Sequence, residues 1–254
     1  MTVQHYDWSA YHSNVRPNKI AIRDLSNNQT LTYKELDDRA NKLAHWLQAN
    51  GVKKGDRIAI LSQNCAEFFE LEFACAKTGS VELPLNWRLT KPELEYILND
   101  STPHALIYDE SFSDIAIELT KDCNIQSSLQ IDKKDASSQY EEAIKDSDAS
   151  YEKVDCTQDD LIMIMYTSGT TGHPKGAMIN HQMQLYNVIN LAAPAFVGPD
   201  TVQLVALPLF HTGGMNCYAN PVLHAGGEII LIREFDPGLA LSILGNADYG
   251  VSHF

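Results

Sequence analysis

The sequence predicts an α/β protein with layered, mostly parallel sheets flanked by helices. Short apolar runs of four to six residues alternate along the chain with segments whose apolar residues recur at helical spacing. These runs are apolar at nearly every position, which is typical of strands covered on both faces, as in parallel sheets. At 254 residues, 44% of them hydrophobic, the chain can hold one large or two medium domains around a substantial core.

Four helices are predicted from their start signals. Thr32 and Thr90 are each followed three residues later by glutamate, which indicates a capping box. Asn64 and Asn180 precede the other two helical patterns, and asparagine is a favoured residue at the start of a helix. Gly51 supplies a stop for the first helix, because glycine adopts the left-handed conformation that often ends one.

Five strands are predicted between and after these helices, each from a short apolar run. They cover residues 57–61, 105–108, 161–166, 202–206 and 229–232. Residues 249–254 predict a further strand, and the chain stops within it. Natural domains rarely end inside an apolar strand without a polar tail, so we expect the sequence to be a fragment of a longer protein.

A polar stretch at residues 147–160 predicts a linker or surface loop. It divides the chain into a first α/β portion, residues 1–155, and a second α/β portion, residues 156–254. We expect the second portion to stop before its domain is complete.

The charge of the chain is strongly acidic and uneven. The formal net charge is −14, and residues 100–160 hold 16 acidic and 5 basic side chains, a net of −11. Such a balance argues against a general nucleic-acid binder or a protein that binds anionic membranes. The acidic stretch is most simply a solvated face.

Targeting and redox signals indicate a cytoplasmic protein without an integral membrane segment. No apolar run approaches the length needed to cross a bilayer, and the N-terminus lacks the basic head and apolar stretch of a secretory signal. The five cysteines are odd in number and have neither Cys-x-x-Cys nor zinc spacing. We expect them to be reduced, packing thiols.

Residues 167–176, Thr-Ser-Gly-Thr-Thr-Gly-His-Pro-Lys-Gly, are the most informative segment. Glycines let backbone N–H groups crowd around an anion, hydroxyls add donors, and lysine adds a full positive charge. Lys175 is one of only two Lys or Arg residues from Leu161 to Phe254, the other being Arg233. The segment predicts a polyphosphate loop; the alternative is a Gly/Ser/Thr-rich turn.

This loop is not a Walker A sequence. Counting from Gly169, Pro174 replaces the second glycine of that motif, and Gly176 follows the lysine. A P-loop kinase or GTPase is therefore not indicated.

Residues 166–176 resemble, at each restrictive position, the signature of the AMP-forming adenylate-forming enzymes. That superfamily joins acyl-CoA synthetases, peptide-synthetase adenylation domains and beetle luciferases. Residues 208–214, Pro-Leu-Phe-His-Thr-Gly-Gly, resemble the acyl-CoA synthetase form of a downstream motif, where adenylation domains usually carry an aromatic-Asp segment. Residues 86–90 resemble a segment common in acyl-CoA synthetases. The resemblance covers nearly the whole chain but about the first half of a typical member.

The resemblance implies a fold, a reaction and a set of ligands. The fold is that of the large N-terminal domain of these enzymes, truncated. The reaction has two steps: a carboxylate attacks the α-phosphorus of Mg-ATP, and coenzyme A then displaces AMP to form a thioester. The implied partners are a small-molecule carboxylic acid, ATP, Mg²⁺ and coenzyme A.

The same resemblance assigns roles to loop residues. Lys175 is implied in catalysis, because pyrophosphate must leave with its charge neutralised. Thr167, nearest the strand end, is implied as a Mg²⁺ ligand, and one hydroxyl suffices because magnesium keeps phosphates and waters as its other ligands. The implied nucleotide-binding residues are Thr167, Ser168, Gly169, Thr170, Thr171, Gly172, Lys175 and Gly176.

His211 has two interpretations. In the family interpretation it lies at the acyl pocket as a catalytic group, where a neutral imidazole orients the carboxylate with one hydrogen bond or gates entry. In the other it is a histidine at a strand–helix corner, satisfied by backbone. The motif context favours the pocket, with Gly213, Gly214 and Met215 beside it. His181 and His224 fall near predicted helix ends, where surface or capping roles are the default, and His173 is expected to face solvent.

Several family segments lie beyond residue 254 in the expected pattern. They are the aromatic-Gly-x-Thr-Glu segment that stacks adenine, the aspartate that holds the ribose, and the C-terminal lid with its catalytic lysine. We therefore expect little or no ligase activity from the 254 residues alone. Two alternatives to an acyl-CoA ligase stay open: an adenylation domain that loads a carrier protein, and a non-catalytic nucleotide-binding regulatory relative. The sequence does not identify the acid, for which fatty, aryl and succinylbenzoate-like acids are candidates, or the oligomeric state.

Overall fold

The structure is a computed structural model, and it describes residues 7–131, 138–167 and 172–254. Helices and strands alternate along most of the chain. In order the described residues form α1 (Trp8–Val15), β1 (Ile20–Asp24), β2 (Gln29–Thr32), α2 (Tyr33–Ala49), β3 (Arg57–Leu61), α3 (Glu67–Thr78), β4 (Val81–Pro84), α4 (Lys91–Ser101), β5 (Ala105–Asp109), α5 (Ser113–Asp122), β6 (Ser127–Ile131), α6 (Gln139–Lys145), β7 (Leu161–Thr167), β8 (Lys175–Asn180), α7 (His181–Ala192), β9 (Val202–Val205), a π-helix (Gly213–Ala219), α8 (Asn220–Ala225), β10 (Glu228–Leu231) and α9 (Pro237–Gly245), with a short 3-10 turn at Glu110–Phe112.

The elements form two compact units. The first unit combines the described part of residues 1–38 with residues 63–70 and 182–254. Its sheet has the order β2-β1-β10-β9, in which β1, β10 and β9 are parallel and β2 is antiparallel. Leu204 and Ile230 of this sheet pack against Ala240 and Ile243 of α9, and this apolar cluster anchors the carboxyl ends of β9 and β10.

The second unit combines residues 39–62 with the described part of residues 71–181. Its sheet has the order β6-β5-β3-β4-β7-β8. All of its ladders are parallel except the last, where β8 runs antiparallel to β7. Leu94 and Leu98 of α4 pack with Leu106 of β5 and Leu119 of α5 in one buried cluster, against which Ile164 and Tyr166 of β7 also lie.

The predicted fold class is therefore confirmed, with sheets that are mixed but mostly parallel. The two units nevertheless cut across the division into 1–155 and 156–254, because each unit is assembled from separated segments. As a statement about domains of the complete protein, that division stays a prediction.

The two capping boxes form as predicted. Thr90 N donates to Glu93 Oε2 at 2.8 Å and opens α4, and Thr32 N donates to Glu35 Oε2 at the same distance and opens α2. Helix α7 begins directly after Asn180. Helix α3 begins at Glu67, later than the position of Asn64 predicts, because the Asn64 side chain binds another part of the first unit.

The prediction of a strand at residues 249–254 is wrong. This segment runs beside β9 but makes a single parallel bridge, between His253 and Gln203. Ser252 N and His253 N both donate to Val202 O, at 2.9 and 3.1 Å, and Leu204 N donates to His253 O at 3.0 Å. Because two amides converge on one carbonyl, a regular ladder does not develop.

Two predictions about thiols and membranes can be compared with the structure. All five cysteines are free thiols; Cys65 and Cys75 are buried, and Cys217 is exposed. Within the described ranges, no helix has both the length and the apolar character that a membrane crossing requires.

Candidate active site

The glycine-rich segment connects β7 and β8 as a hairpin in the second unit. Thr167 pairs with Lys175 across the two strands, and Tyr166 pairs with Gly176. The hairpin thus places the Thr167 hydroxyl and the Lys175 ammonium group at the same end of the strand pair. Four of the predicted nucleotide-binding residues, Ser168, Gly169, Thr170 and Thr171, lie outside the described residues.

Two glycines of the hairpin are explained by their surroundings. Gly172 has φ +130°, a conformation that favours glycine, and nothing lies within 4 Å of the position of an added Cβ. Gly176 packs against side chains instead. A Cβ there would lie 2.8 Å from Ile164 Cγ2 and 3.2 Å from the Tyr166 ring. Glycine at 176 therefore leaves room for the Tyr166 ring beside the neighbouring strand.

Helix α4 supports the hairpin at two points. The Tyr166 hydroxyl donates to Asp100 Oδ2 at 2.5 Å. Burial, and then the Asp100 carboxylate, raise the pKa of Tyr166, so the hydroxyl stays protonated and remains a donor. The rings of Tyr96 and His173 stack with centroids 4.5 Å apart. His173 is exposed, as expected, but this ring contact was not predicted.

Lys175 is exposed, and its ammonium group has no partner among the described residues. Other lysines of the second unit are engaged: Lys54 pairs with Asp160 at 2.7 Å, and Lys91 with Asp122 at 2.8 Å. Lys175 is therefore available to an incoming anion. Lys175 is also the one lysine in the sequence from Leu161 to Phe254, so the sequence and the geometry of the hairpin indicate the same group.

The second motif, residues 208–214, forms a tight corner of the first unit between β9 and the π-helix. His211 N donates to Pro208 O at 3.1 Å, and Met215 N donates to His211 O at 3.2 Å. His211 is exposed, and its Nδ1 accepts a hydrogen bond from Gly213 N at 3.0 Å. Since Nδ1 accepts, the neutral ring carries its proton on Nε2, and Nε2–H is the group it can offer to a ligand.

Gly214 closes this corner by a close approach of backbone to backbone. A Cβ at position 214 would lie 2.4 Å from Pro208 O and 2.6 Å from Leu207 O. Met215 is fully buried in the core, so the structure assigns its side chain a packing contact. Its predicted place in the substrate pocket stays a prediction, as do those of Gly213 and Gly214.

A cavity of about 320 Å³ in the first unit begins at the π-helix that follows this corner. Its wall includes the exposed side chain of Cys217 and that of Tyr218, together with Gln203 of β9. The remaining wall comes from Leu191, Ala195, Val197, Pro221, His253 and Phe254. This cavity was not predictable from the sequence, because its residues come from four separate segments.

A second cavity, of about 600 Å³, lies in the second unit on the β7–β8 side of α4. Its cationic groups bind protein atoms. Lys54 pairs with Asp160, and the Arg57 guanidinium donates to the carbonyl oxygens of Ser101 and Thr102 at 2.6 and 2.7 Å. The charged groups of this cavity therefore have internal partners, and we assign it no ligand.

Of the two expected roles of His181, surface or capping, the surface role is wrong, and the capping role at the start of α7 stays a prediction. The residue is 2% exposed, and burial lowers its pKa to about 4, so the folded protein holds it neutral. His224 lies in the last turn of α8, where its carbonyl oxygen binds the His12 ring Nε2 at 2.9 Å.

Comparison with known proteins decides the family. A model described as AMP-binding enzyme matches residues 9–254. This chain belongs to the AMP-binding enzyme family. It is 35% identical over 235 residues to feruloyl-CoA synthase from Amycolatopsis sp, a match covering 92% of this chain and 45% of the relative. It is also 31% identical over 248 residues to fatty acid–acyl-carrier-protein ligase ScoC from Streptomyces coeruleorubidus, covering 96% and 46%.

The fold of this chain matches solved structures of relatives. ATP-bound MatB from Rhodopseudomonas palustris superposes with a TM-score of 0.86 at 30% identity, covering 95% of this chain and 48% of that one. The predicted family is thus confirmed. The chain spans about half the length of the curated relatives it matches.

The described residues can be tested for a fit to Mg²⁺. Within the described residues, no group of three His, Cys, Asp or Glu side chains could hold a metal ion. The exposed Thr167 hydroxyl at the end of β7 is a hard oxygen donor. One such donor fits an ion whose other ligands are phosphate oxygens and water.

Proposed function

We propose that the protein carrying this chain is an ATP-dependent ligase that activates a carboxylic acid as acyl-AMP and transfers it to coenzyme A. The observation that carries the proposal is the hairpin of the family signature, which presents Lys175 beside the Thr167 hydroxyl without a partner for its ammonium group among the described residues. A hydroxyl donor beside a lysine ammonium group is a combination that suits the binding of a polyphosphate.

In the first step, a carboxylate oxygen of the acid forms a bond to the α-phosphorus of ATP. The bond from that phosphorus to the bridging oxygen breaks, and pyrophosphate leaves with the bonding electrons. Lys175 stabilises the charge that develops on the leaving group. In the second step, the sulfur of coenzyme A bonds to the acyl carbon, AMP leaves, and the thiol proton passes to solvent.

Bound Mg²⁺ would neutralise phosphate charge, and Thr167 is the residue that would hold it. His211 donates its Nε2–H to the carboxylate and so orients it for attack. This role uses the tautomer that the Gly213 N–H hydrogen bond favours. We assign the acyl group to the cavity beside the π-helix, where Cys217 and Tyr218 contribute to its wall.

The exposed, free Cys217 and the other free thiols support a reducing compartment, and we propose the cytoplasm. One alternative has a specific observation in its favour. ScoC is named as a ligase that uses an acyl-carrier protein, so a carrier protein could replace coenzyme A as acceptor. Residues 208–214 favour coenzyme A, since they have the acyl-CoA synthetase form of that motif.

The test uses the complete protein, a panel of carboxylic acids, and ATP–pyrophosphate exchange. Lys175→Ala should slow adenylation about 100-fold or more with the fold preserved, by analogy with the loss of one preorganised donor. Lys53→Ala, at another exposed lysine of the second unit, is the matched control and should leave the rate unchanged. Unchanged adenylation in Lys175→Ala would remove the lysine from the mechanism. Thioester formation with coenzyme A or with a carrier protein then decides the acceptor.

A further inference from the structure

We propose that Asn64 is a positioning residue: its buried side chain fixes residues 207–209 and thereby the direction in which His211 presents Nε2–H. The part of the proposal that concerns catalysis rests on the proposed function of His211. The part that concerns geometry does not.

The carboxamide of Asn64 joins two strand ends of the first unit. Asn64 is 3% exposed. Its Nδ2 donates to Leu207 O at 3.0 Å, just beyond β9, and to Ile232 O at 3.2 Å, just beyond β10. Its Oδ1 accepts from Leu209 N at 2.9 Å. Both amide hydrogens and the oxygen are therefore engaged by backbone groups.

Two of these hydrogen bonds bind the residues immediately before and after Pro208. Proline has no N–H and cannot bind a neighbouring strand in the usual way, so the chain leaving β9 lacks a donor there. Asn64 compensates, because it binds the carbonyl before the proline and the amide after it. The Asn64 carboxamide thus supplies the hydrogen bonds that a neighbouring strand supplies elsewhere in the sheet.

The held segment leads directly to His211. Pro208 O accepts from His211 N at 3.1 Å, so a shift of Pro208 moves the His211 backbone. On the other side, Gly214 lies against Pro208 O and Leu207 O so closely that a Cβ could not be accommodated. Asn64 and the backbone at Gly214 thus hold the corner between them, at the carboxyl end of two parallel strands, where ligands bind in sheets of this kind.

Asparagine is the residue type that this arrangement requires. Aspartate has the same shape, and one of its oxygens could still accept from Leu209 N. Its other oxygen would face two carbonyl oxygens, at Leu207 and Ile232, without a hydrogen to share. Asn64→Asp therefore replaces two hydrogen bonds with repulsive contacts between oxygen atoms, while the side-chain volume stays the same.

The experiment uses the complete protein and compares Asn64→Asp with wild type. Asn41→Asp is the matched control, because Asn41 is a buried asparagine of the second unit whose Nδ2 donates to Ala149 O at 2.7 Å. Three readouts are measured: exchange of the Leu209 amide by fragment mass spectrometry, the imidazole ¹⁵N shifts of His211, and the kinetics of adenylation.

In Asn64→Asp we expect the Leu209 amide to exchange about tenfold faster or more, because repulsion between the carboxylate and the carbonyl oxygens of Leu207 and Ile232 moves the accepting oxygen out of line with Leu209 N. The His211 ¹⁵N shifts should move from the Nε2–H tautomer toward a mixture. The kcat of adenylation should fall about 10- to 100-fold, the range for residues that orient a functional ligand, while the KM for ATP stays unchanged. Asn41→Asp should change none of the three. Wild-type exchange and wild-type ¹⁵N shifts in Asn64→Asp would overturn the proposal.

A second comparison separates this proposal from the proposed function. His211→Ala is combined with Asn64→Asp in a double-mutant cycle. If Asn64 acts through His211, the double variant is no slower than His211→Ala alone; additive losses would overturn that link. A fully active His211→Ala would overturn the proposed role of His211 and leave the exchange and ¹⁵N results as they stand. Should Asn64→Asp fail to fold, Asn64→Ser is measured by the same readouts and the same criteria.

Discussion

Glu82 is buried in the second unit, and because burial raises its pKa, the free energy of unfolding depends on pH. It lies on β4, opposite Met163 of β7, and is 0% exposed. Neither of its carboxyl oxygens has a hydrogen-bond partner among the described residues. Burial, and then the nearby carboxylate of Glu72, raise the pKa of Glu82 well above its ordinary value of 4.5. The neighbouring Cys75 thiol is buried too, and its pKa is also raised.

The direction of the effect follows from proton linkage. With a raised pKa, Glu82 holds a proton in the folded state that it loses in the unfolded state as soon as the pH exceeds 4.5. Its contribution to stability is therefore complete below pH 4.5 and is lost as pH rises toward the folded-state pKa. One proton corresponds to about 1.4 kcal/mol of unfolding free energy per pH unit in this window. Glu82→Gln, a neutral side chain of the same shape, removes this loss.

The assay is urea denaturation of wild type and Glu82→Gln at half-unit steps of pH from 4.5 upward. The free energy of unfolding of the variant should gain on wild type by about 1.4 kcal/mol per pH unit and then level off at the folded-state pKa. Glu82→Met should have the same pH dependence as Glu82→Gln, because both lack the titrating proton. Glu152→Gln, at an exposed glutamate of the same unit, should run parallel to wild type. Parallel curves for Glu82→Gln and wild type would refute the reasoning.

Two other substitutions test features of the same units. His181→Asn should remove a loss of stability that wild type shows at acidic pH. The folded state keeps His181 neutral down to about pH 4, whereas the unfolded state binds a proton at His181 below pH 6.5. The unfolding free energy of wild type therefore falls by about 1.4 kcal/mol per pH unit between these two values. Denaturation midpoints that fall equally in both proteins would contradict this. Gly214→Ala should lower the unfolding free energy by about 1–3 kcal/mol, because its Cβ meets backbone oxygens 2.4 and 2.6 Å away. Gly245→Ala, which has open space around the position, is the control and should lose nothing; an equally stable Gly214→Ala protein would show that the corner adjusts freely.

The sequence predicted the helix starts and strands that depend on interactions between residues close together in the chain. The capping boxes at Thr32 and Thr90 form because donor and acceptor are three residues apart on one turn. Strand β7 was predicted from its apolar run and extends by one residue to Thr167.

Features that depend on distant partners were not predictable. Strand β8 was missed because residues 175–180 are partly exposed and lie at the edge of the sheet, so they lack an apolar run. Asn64 was interpreted as a helix start, and the competing partners of its carboxamide, Leu207, Leu209 and Ile232, lie more than 140 residues away. The π-helix begins at Gly213, beside the close approach of Gly214 to the backbone oxygens of Leu207 and Pro208, and no pattern in the sequence predicted it.

The candidate site has to attract a polyanion to a protein whose net charge is −14. Arg233, the other basic residue after Leu161, donates to Gln63 Oε1 at 2.7 Å, so it serves contacts within the first unit. Lys175 is then the cation that the signature hairpin can offer, and its own strands carry no acidic residue to neutralise it. A single exposed charge in an acidic protein acts mainly at short range, because salt screens it beyond about 10 Å. Under the proposed function, selectivity for a polyphosphate therefore comes from donors that lie close to the anion, with Lys175 adding charge at contact. This explains why glycines that allow close approach accompany the lysine in the hairpin.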